Sequence, residues 1–525
     1  MKIPAAGRPL CRPASLAFDA SDLAEGLHLT SEWEAAPGAP PSSPRIPYQR
    51  IWLLLFLAWT VAYLDRSVTG PAVSWMIANQ VGFLAGGYPF ALGGIIGSMF
   101  FAGYMLTQFP AGYLGDRYGR KVMITVSTVW AGVTTAASGF ATSLLSFVGL
   151  RVATGLGEGA YYSNDRALVR LVTPESKRAL GMGVVFVGLA TGLTIATIVT
   201  TPLLDWAASL WGTEAAWRFV FLLFAAPTLA VGLVFLLFVR VDDVTDPETA
   251  KLPERVRLAR ATARLGGISA VFLAVVMATY VLTEPLVVAG GANLSLARIL
   301  QAVAITGVAL ALVAFVYTRL GRASASVLKD RSLVLMYTSA IAILWTLWLF
   351  GFWSGQILTE TANTSAVVGW AFAGAFGVAN GVGYPLGGWI SDRQFVRGLG
   401  RRRLYVILCG ATAALVLLLA LYIQAGRPDI VVLGALLFAI GVPFAAMQTV
   451  HMALTSDLAP VELQGQAFGM WNLIAEIGAV LSPVVGGAVR QSTGGWGLAL
   501  GVNAAILVAS ASLVFFVRER KAAGG

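Results

Sequence analysis

Charge is scarce in this chain, and so are the two side chains that carry most metal chemistry. Only 12% of its 525 residues are Asp, Glu, Lys or Arg, about half the ~25% share in soluble domains. So few charges cannot clothe a water-facing surface of this size, which excludes a soluble globular protein. There are two histidines, His28 and His451, and two cysteines, Cys11 and Cys409. Neither pair makes a disulfide framework or a metal site. No Walker sequence occurs, and "GLGEG" at 155–159 sits inside an apolar run with no strand before it, so it is no nucleotide loop. No cofactor and no metal are expected. The net charge of +10 does not point to nucleic acid, because the cations fall between apolar runs and form no stripe.

What is abundant is hydrophobic: 57% of the chain, with a mean hydropathy of +0.76. The pattern predicts an all-α polytopic membrane protein. Residues 1–47, rich in Pro, Ala and Ser, read as a disordered cytoplasmic tail. Fourteen runs long enough to span a bilayer then lie between residues 50 and 517. Lys and Arg concentrate in alternate connections, including 117–121, 251–264, 319–331 and 393–403, while the opposite connections hold Arg218, Arg298, Arg427 and Arg490. The positive-inside rule puts both termini in the cytoplasm.

The chain repeats itself. "GYLGDRYGRK" (Gly112 to Lys121) returns more loosely as "GGWISDRQFVRGLGRRR" (Gly387 to Arg403), and "TPESKRALGMG" (Thr173 to Gly183) as "APVELQGQAFGMW" (Ala459 to Trp471). This offset predicts two pseudo-symmetric six-helix bundles, at 48–240 and 333–518, with a cavity between them. Residues 268–318 have no counterpart. They read as an extra two-helix hairpin within a linker at 241–332, and residues 519–525 as a second cytoplasmic tail.

Charges inside the runs are the candidate site. Asp65 and Arg66 stand side by side in "AYLDRSVTGPAV" (Ala62 to Val73), where each charge costs at least ~2.5 kcal/mol at mid-bilayer. Arg151 and Glu158 lie seven residues apart, about two helical turns, so they share a face, which Tyr162 continues. An arginine can grip a carboxylate with two prongs, and a carboxylate in a half-dry cavity can take up a proton. Arg66, Arg151, Tyr63, Tyr162 and Asn472 are therefore candidates for holding an anion, and Asp65 and Glu158 for carrying protons. Static ion pairs locking helices together are the plainer alternative. Glu476, Gln448 and Asn380 are possible cavity residues, as are Gln108 and Gln356. His451 reads as structural, and Trp345, Trp348 and Trp353 as packing or lipid-facing. Gly112, Asp116, Arg117, Arg120, Asp392 and Arg393 form a candidate latch at the two echoes of the first repeat. Simple anchoring to the inner surface is the alternative there.

With these motifs in view, the chain resembles the major facilitator superfamily. "GYLGDRYGRK" is similar to that family's most specific pattern, between its second and third helices. A finer likeness is to the anion:cation symporter branch, through Tyr63, Asp65 and Arg66, through Arg151 and Glu158 in "RVATGLGEGA", and through Pro174 to Arg178 and "WRFVF" (Trp217 to Phe221). The resemblance implies a secondary transporter in the plasma (inner) membrane, expected to act as a monomer. It would move a sugar acid, dicarboxylate or aromatic acid by alternating access, coupled to protons, with sodium the alternative ion. Two features depart from the branch: Asn164, Asp165 and Arg166 at the end of the fourth run, and the fourteen-run count. That count is shared with drug:proton antiporters, which makes export the first alternative. A transporter-like receptor that moves nothing is the second.

Overall fold

The computed structural model describes residues 47–85, 88–173, 178–239, 247–289, 294–320, 329–397, 400–426, 428–460 and 464–519. All but residues 47 and 519 of the tails expected at 1–47 and 519–525, and the stretch 174–177, lie outside the described residues.

Helices α1 (Tyr48–Ser67) and α2 (Thr69–Ala78) form one bent rod. Pro71 explains the break: it has no N–H for the Ser67 carbonyl, and its ring crowds that carbonyl. Next come α3 (Pro89–Tyr118), α4 (Arg120–Ser138), α5 (Leu144–Val172), α6 (Arg178–Trp211) and α7 (Thr213–Phe238). After them run α8 (Glu254–Ala289) and α9 (Leu294–Leu320). The last set is α10 (Arg331–Thr361), α11 (Ala366–Val396), α12 (Arg401–Gln424), α13 (Ile430–Leu458), α14 (Gln464–Thr493) and α15 (Gly497–Phe515). Polar caps start several of them. Asp330 accepts from the backbone N–H groups of Ser332 and Leu333, and Asp429 from those of Val431 and Val432.

Among the described residues, twelve helices are long and apolar enough to cross a membrane, counting α1 and α2 as one. Fourteen are expected from the sequence. The two that fall short, α4 and α5, are of spanning length but more polar. One is rich in Ser and Thr, and the other carries Arg151, Glu158, Asp165 and Arg166.

Packing follows the sequence repeat. Helix α1 lies on α6, α3 on α5 and α4 on α7, and the same pattern returns as α10 on α14, α11 on α13 and α12 on α15. The two sets meet along α3–α14 and α6–α11, which are again related by the repeat. Helices α8 and α9 pack on each other and on the flank, α8 against α3, α4 and α5, and α9 against α3 and α14. Their outward side chains, such as Leu282, Leu286 and Phe315, are exposed and apolar, as lipid contact demands.

The end of the bundle that holds the Arg- and Lys-rich connections is called the basic end below. Toward the opposite end the two sets touch without side chains between them. A Cβ on Gly94 of α3 would lie 2.6 Å from the Pro483 carbonyl oxygen and 2.7 Å from the Val484 Cα of α14. Only glycine allows that approach.

Candidate functional site

The Pro71 break puts Asp65 and Arg66 in the last turn of α1, where neighbouring side chains diverge. They do not serve each other. The Arg66 Nη2 donates to Glu158 Oε2 at 2.5 Å, and both side chains are buried. The Arg66 guanidinium also lies over the rings of Tyr63 and Tyr104, at 4.4 and 4.9 Å. Asp65 accepts from the Thr135 hydroxyl of α4, at 2.6 Å to Oδ1 and 2.7 Å to Oδ2. That same hydroxyl oxygen accepts from Arg151 Nη2 at 3.3 Å. Arg151 further donates to Ser138 at 2.8 Å and Thr154 at 3.2 Å, and stands over the Phe221 ring. The four charges are thus cross-paired: Arg66 directly with Glu158, Asp65 with Arg151 through a hydroxyl.

A third rung follows seven residues further along α5. Asp165 accepts from the Trp59 indole N–H at 2.5 Å. Its neighbour Arg166 lies over the rings of Phe186 and Tyr162, at 3.9 and 5.3 Å. The sequence marks Asp165 and Arg166 as a departure from the branch, and the spacing 151, 158, 165 places this rung on the same face of α5 as the other two.

Between the two sets lies a cavity of about 30 Å³, room for roughly two waters. Arg66 lines it with Trp59, Tyr63, Tyr104, Tyr162 and Phe186 from the first set. Trp348, Trp471, Asn472, Gln448 and Glu476 line it from the second. Trp348, expected to be a packing or lipid-facing ring, packs on Tyr63 at 5.9 Å and also lines this cavity. Trp353 does pack, donating to the Pro483 carbonyl at 2.9 Å. Asp65, Arg151 and Glu158 stand behind the wall and do not border the cavity. Neither does Asn380, which is buried with neither amide atom hydrogen-bonded.

The remaining polar residues sort by partner. Asn472 Nδ2 donates to Gln108 Oε1 at 2.7 Å, which joins α14 to α3. Gln448 accepts from the Tyr384 hydroxyl at 3.1 Å. Gln356 donates to Glu360. The Trp471 indole can only donate, so His451 Nδ1 accepts from it at 2.9 Å, and Nε2 faces the Ser339 hydroxyl at 2.8 Å. His451 thereby holds a cavity ring in place.

At the basic end, a single residue, Gly119, separates α3 from α4. Its φ of 102° is a conformation that favours glycine. The turn brings Arg120 onto Asp116, while Lys121 reaches Glu254 at the start of α8. Arg117 lies over the Tyr118 ring, and Gly112 faces Ser163. In the second echo, Arg401 bridges Asp392 at 3.1 Å and Asp457 at 2.9 Å, while Arg393 lies over Trp389. Asp116 is 56% exposed, so Asp116→Asn should change stability by less than about 1 kcal/mol. Its expected effect is conformational: cysteine probes at the basic end should become more accessible while ligand affinity stays near wild type. Unchanged accessibility with normal transport would mean that the cluster only anchors.

The Major Facilitator Superfamily description matches residues 55–360 and 353–525, essentially the whole helical region. The chain belongs to the major facilitator superfamily. Two curated relatives of this transporter match along nearly their full length. A D-galactonate transporter of Escherichia coli O6:H1 is 26% identical over 475 residues, 90% of this chain and 96% of that protein. A probable sulfoacetate transporter of Cupriavidus necator is 24% identical over 471 residues, 88% of this chain and 92% of its own. Both are anion transporters by name, in keeping with the branch that the Asp65–Arg66 and Arg151–Glu158 motifs resemble. A solved D-xylose-proton symporter superposes with a TM-score of 0.62 at 14% identity, covering 90% of this chain and 98% of its own. At that identity the likeness is one of fold. The chain is therefore a multi-pass membrane transporter, and its relatives are not enzymes.

Proposed function

We propose that this major facilitator chain imports a small organic anion together with protons, by alternating access. The observation that carries the reading is Arg66. It is the cation in the wall of a cavity shared by both helix sets, and its present partner is a buried carboxylate, Glu158. An arriving carboxylate competes with Glu158 for the guanidinium. A proton on Glu158 releases Arg66 for the cargo, and a proton on Asp65 loosens its Thr135 link to Arg151. Protonation and anion binding then favour each other, which is symport. Tyr63, Tyr162 and Asn472 border the cargo. Arg151, behind the wall, orders the second acid and makes no cargo contact.

The topology that fits this reading has fourteen spans: bundles at 48–240 and 333–518, with α8 and α9 as an added hairpin. The basic end faces the cytoplasm with both termini, and the plasma membrane is the site of action. The transporter works as a monomer, with protons rather than sodium as the coupling ion.

The test is uptake of radiolabelled organic acids by purified protein in liposomes, with acid imposed outside. Wild type should be accelerated by the gradient. Asp65→Asn and Glu158→Gln should each lose that acceleration, by at least about tenfold, while retaining counterflow exchange, which moves no net proton. Gradient-driven uptake unaltered in both variants would reduce the four charges to structural ion pairs. Efflux driven by the same gradient would identify an antiporter instead.

A further inference from the structure

Glu476 is the charged group of the cavity that the coupling scheme leaves unused. It sits on α14, in the helix set opposite Arg66, and both line the same cavity. It is 4% exposed, and its Oε2 has no hydrogen-bond partner. Buried polar atoms are mostly paired, so an unpartnered oxygen on a residue that lines the cavity is an acceptor available to an occupant. Arg66 carries a matching vacancy, since its Nε is buried without a partner while Nη2 holds Glu158. The cavity is therefore dipolar: Arg66 lines it from one helix set and Glu476 from the other, and each side chain has a buried polar atom without a hydrogen-bond partner. The aromatic rings of Trp59, Tyr63, Tyr104 and Trp348 stand around the space between them.

We propose that Glu476 is a second cargo anchor, and that the cargo is an organic acid bearing a hydrogen-bond donor, a hydroxyl or an ammonium, at the end remote from its carboxylate. This rests on the anion-transport reading and narrows it. A plain monocarboxylate would satisfy Arg66 but face the Glu476 oxygen with a hydrocarbon end, leaving the acceptor unmet. A donor at the far end completes it. Asn472 and Gln448 supply further polar contacts on the same wall, and the rings suit either a flat spacer or an ammonium. Because the two anchors belong to different helix sets, one bound molecule ties both sets together. Cargo occupancy would thus favour the closed intermediate between the two open states.

Two matched sets of acids test this by quenching of intrinsic tryptophan fluorescence, since Trp59, Trp348 and Trp471 line the cavity. One set is benzoate, 4-hydroxybenzoate and 4-(aminomethyl)benzoate. The other is hexanoate, 6-hydroxyhexanoate and 6-aminohexanoate. In wild type, the donor-bearing acids of at least one set should bind at least tenfold more tightly than the plain acid. The hydroxyl and ammonium arms show which donor is preferred. Glu476→Gln should cut the ammonium advantage tenfold or more, because the amide lacks the charge but keeps an acceptor. Glu476→Leu should erase both advantages while leaving the plain acid bound. Equal affinity across both sets in wild type, or an unaltered ranking in Glu476→Leu, overturns the proposal. If plain and donor-bearing acids bind equally well and Arg66→Lys weakens them all, the anion reading stands while the second anchor falls. If no acid of either set binds, both fall together.

Discussion

Arg66→Ala is expected to abolish uptake and to lower thermal stability sharply. The variant leaves Glu158 buried behind the cavity with its ion-pair partner gone. Removing one member of a buried pair typically costs about 3–5 kcal/mol, a large share of the ~5–15 kcal/mol that stabilises a folded domain. Two further changes separate the structural loss from the functional one. Arg66→Ala with Glu158→Gln removes the stranded charge, so it should regain most of the stability and none of the uptake. Arg66→Lys keeps a cation near Glu158 and should fold, yet bind organic acids at least about tenfold more weakly, because an ammonium cannot offer the guanidinium's fork. Thermal unfolding and ligand titration of the three proteins check this. An Arg66→Lys protein with unchanged affinity would remove Arg66 from the cargo site.

Gly94→Leu should arrest the transport cycle without emptying the cavity. The new side chain would have to occupy the space now taken by the Pro483 carbonyl and Val484 Cα. Those are backbone atoms that cannot swing aside as a flexible side chain can, so the approach of α3 to α14 is blocked. The protein should then be held with the end opposite the basic end open. Uptake should fall by at least about tenfold, while acid binding measured by fluorescence stays within a few-fold of wild type. Cysteine probes placed near Phe90 and Gly487 should react faster with membrane-impermeant reagents. Normal uptake would mean that the α3–α14 contact is not part of the cycle.

The fold was legible because it is written twice. Hydrophobic runs located the helices, and the "GYLGDRYGRK" echo matches the observed pairing of α3 on α5 with that of α11 on α13. The span count was less legible. Helices α4 and α5, of 19 and 29 residues, hide Ser, Thr and charge inside the protein, which sets them apart from the twelve helices apolar enough to cross a membrane. In the site, heptad spacing placed Arg151 and Glu158 on one face, and charge within a span singled out Asp65 and Arg66. What spacing could not reveal was how α1 and α5 are rotated about their axes. That rotation decides that Arg66 reaches the cavity while Arg151 and Asp65 remain behind it. The aromatic lining was hidden for a related reason. A tryptophan such as Trp348 reads the same whether it meets lipid, a neighbouring helix or a cavity.

The cross-pairing of α1 with α5 also bears on how the protein is made. As an isolated segment leaving the ribosome, α1 must carry Asp65 and Arg66 into the bilayer, at about 2.5–3.5 kcal/mol for each charge near its centre. Its partners are Glu158, Arg151 and Thr135, which lie 70 to 92 residues downstream of the side chains they meet. Until α4 and α5 emerge, α1 lacks the partners that its charges meet in the folded protein. The internal ladder of charges thus ties the final packing of α1 to the synthesis of α4 and α5.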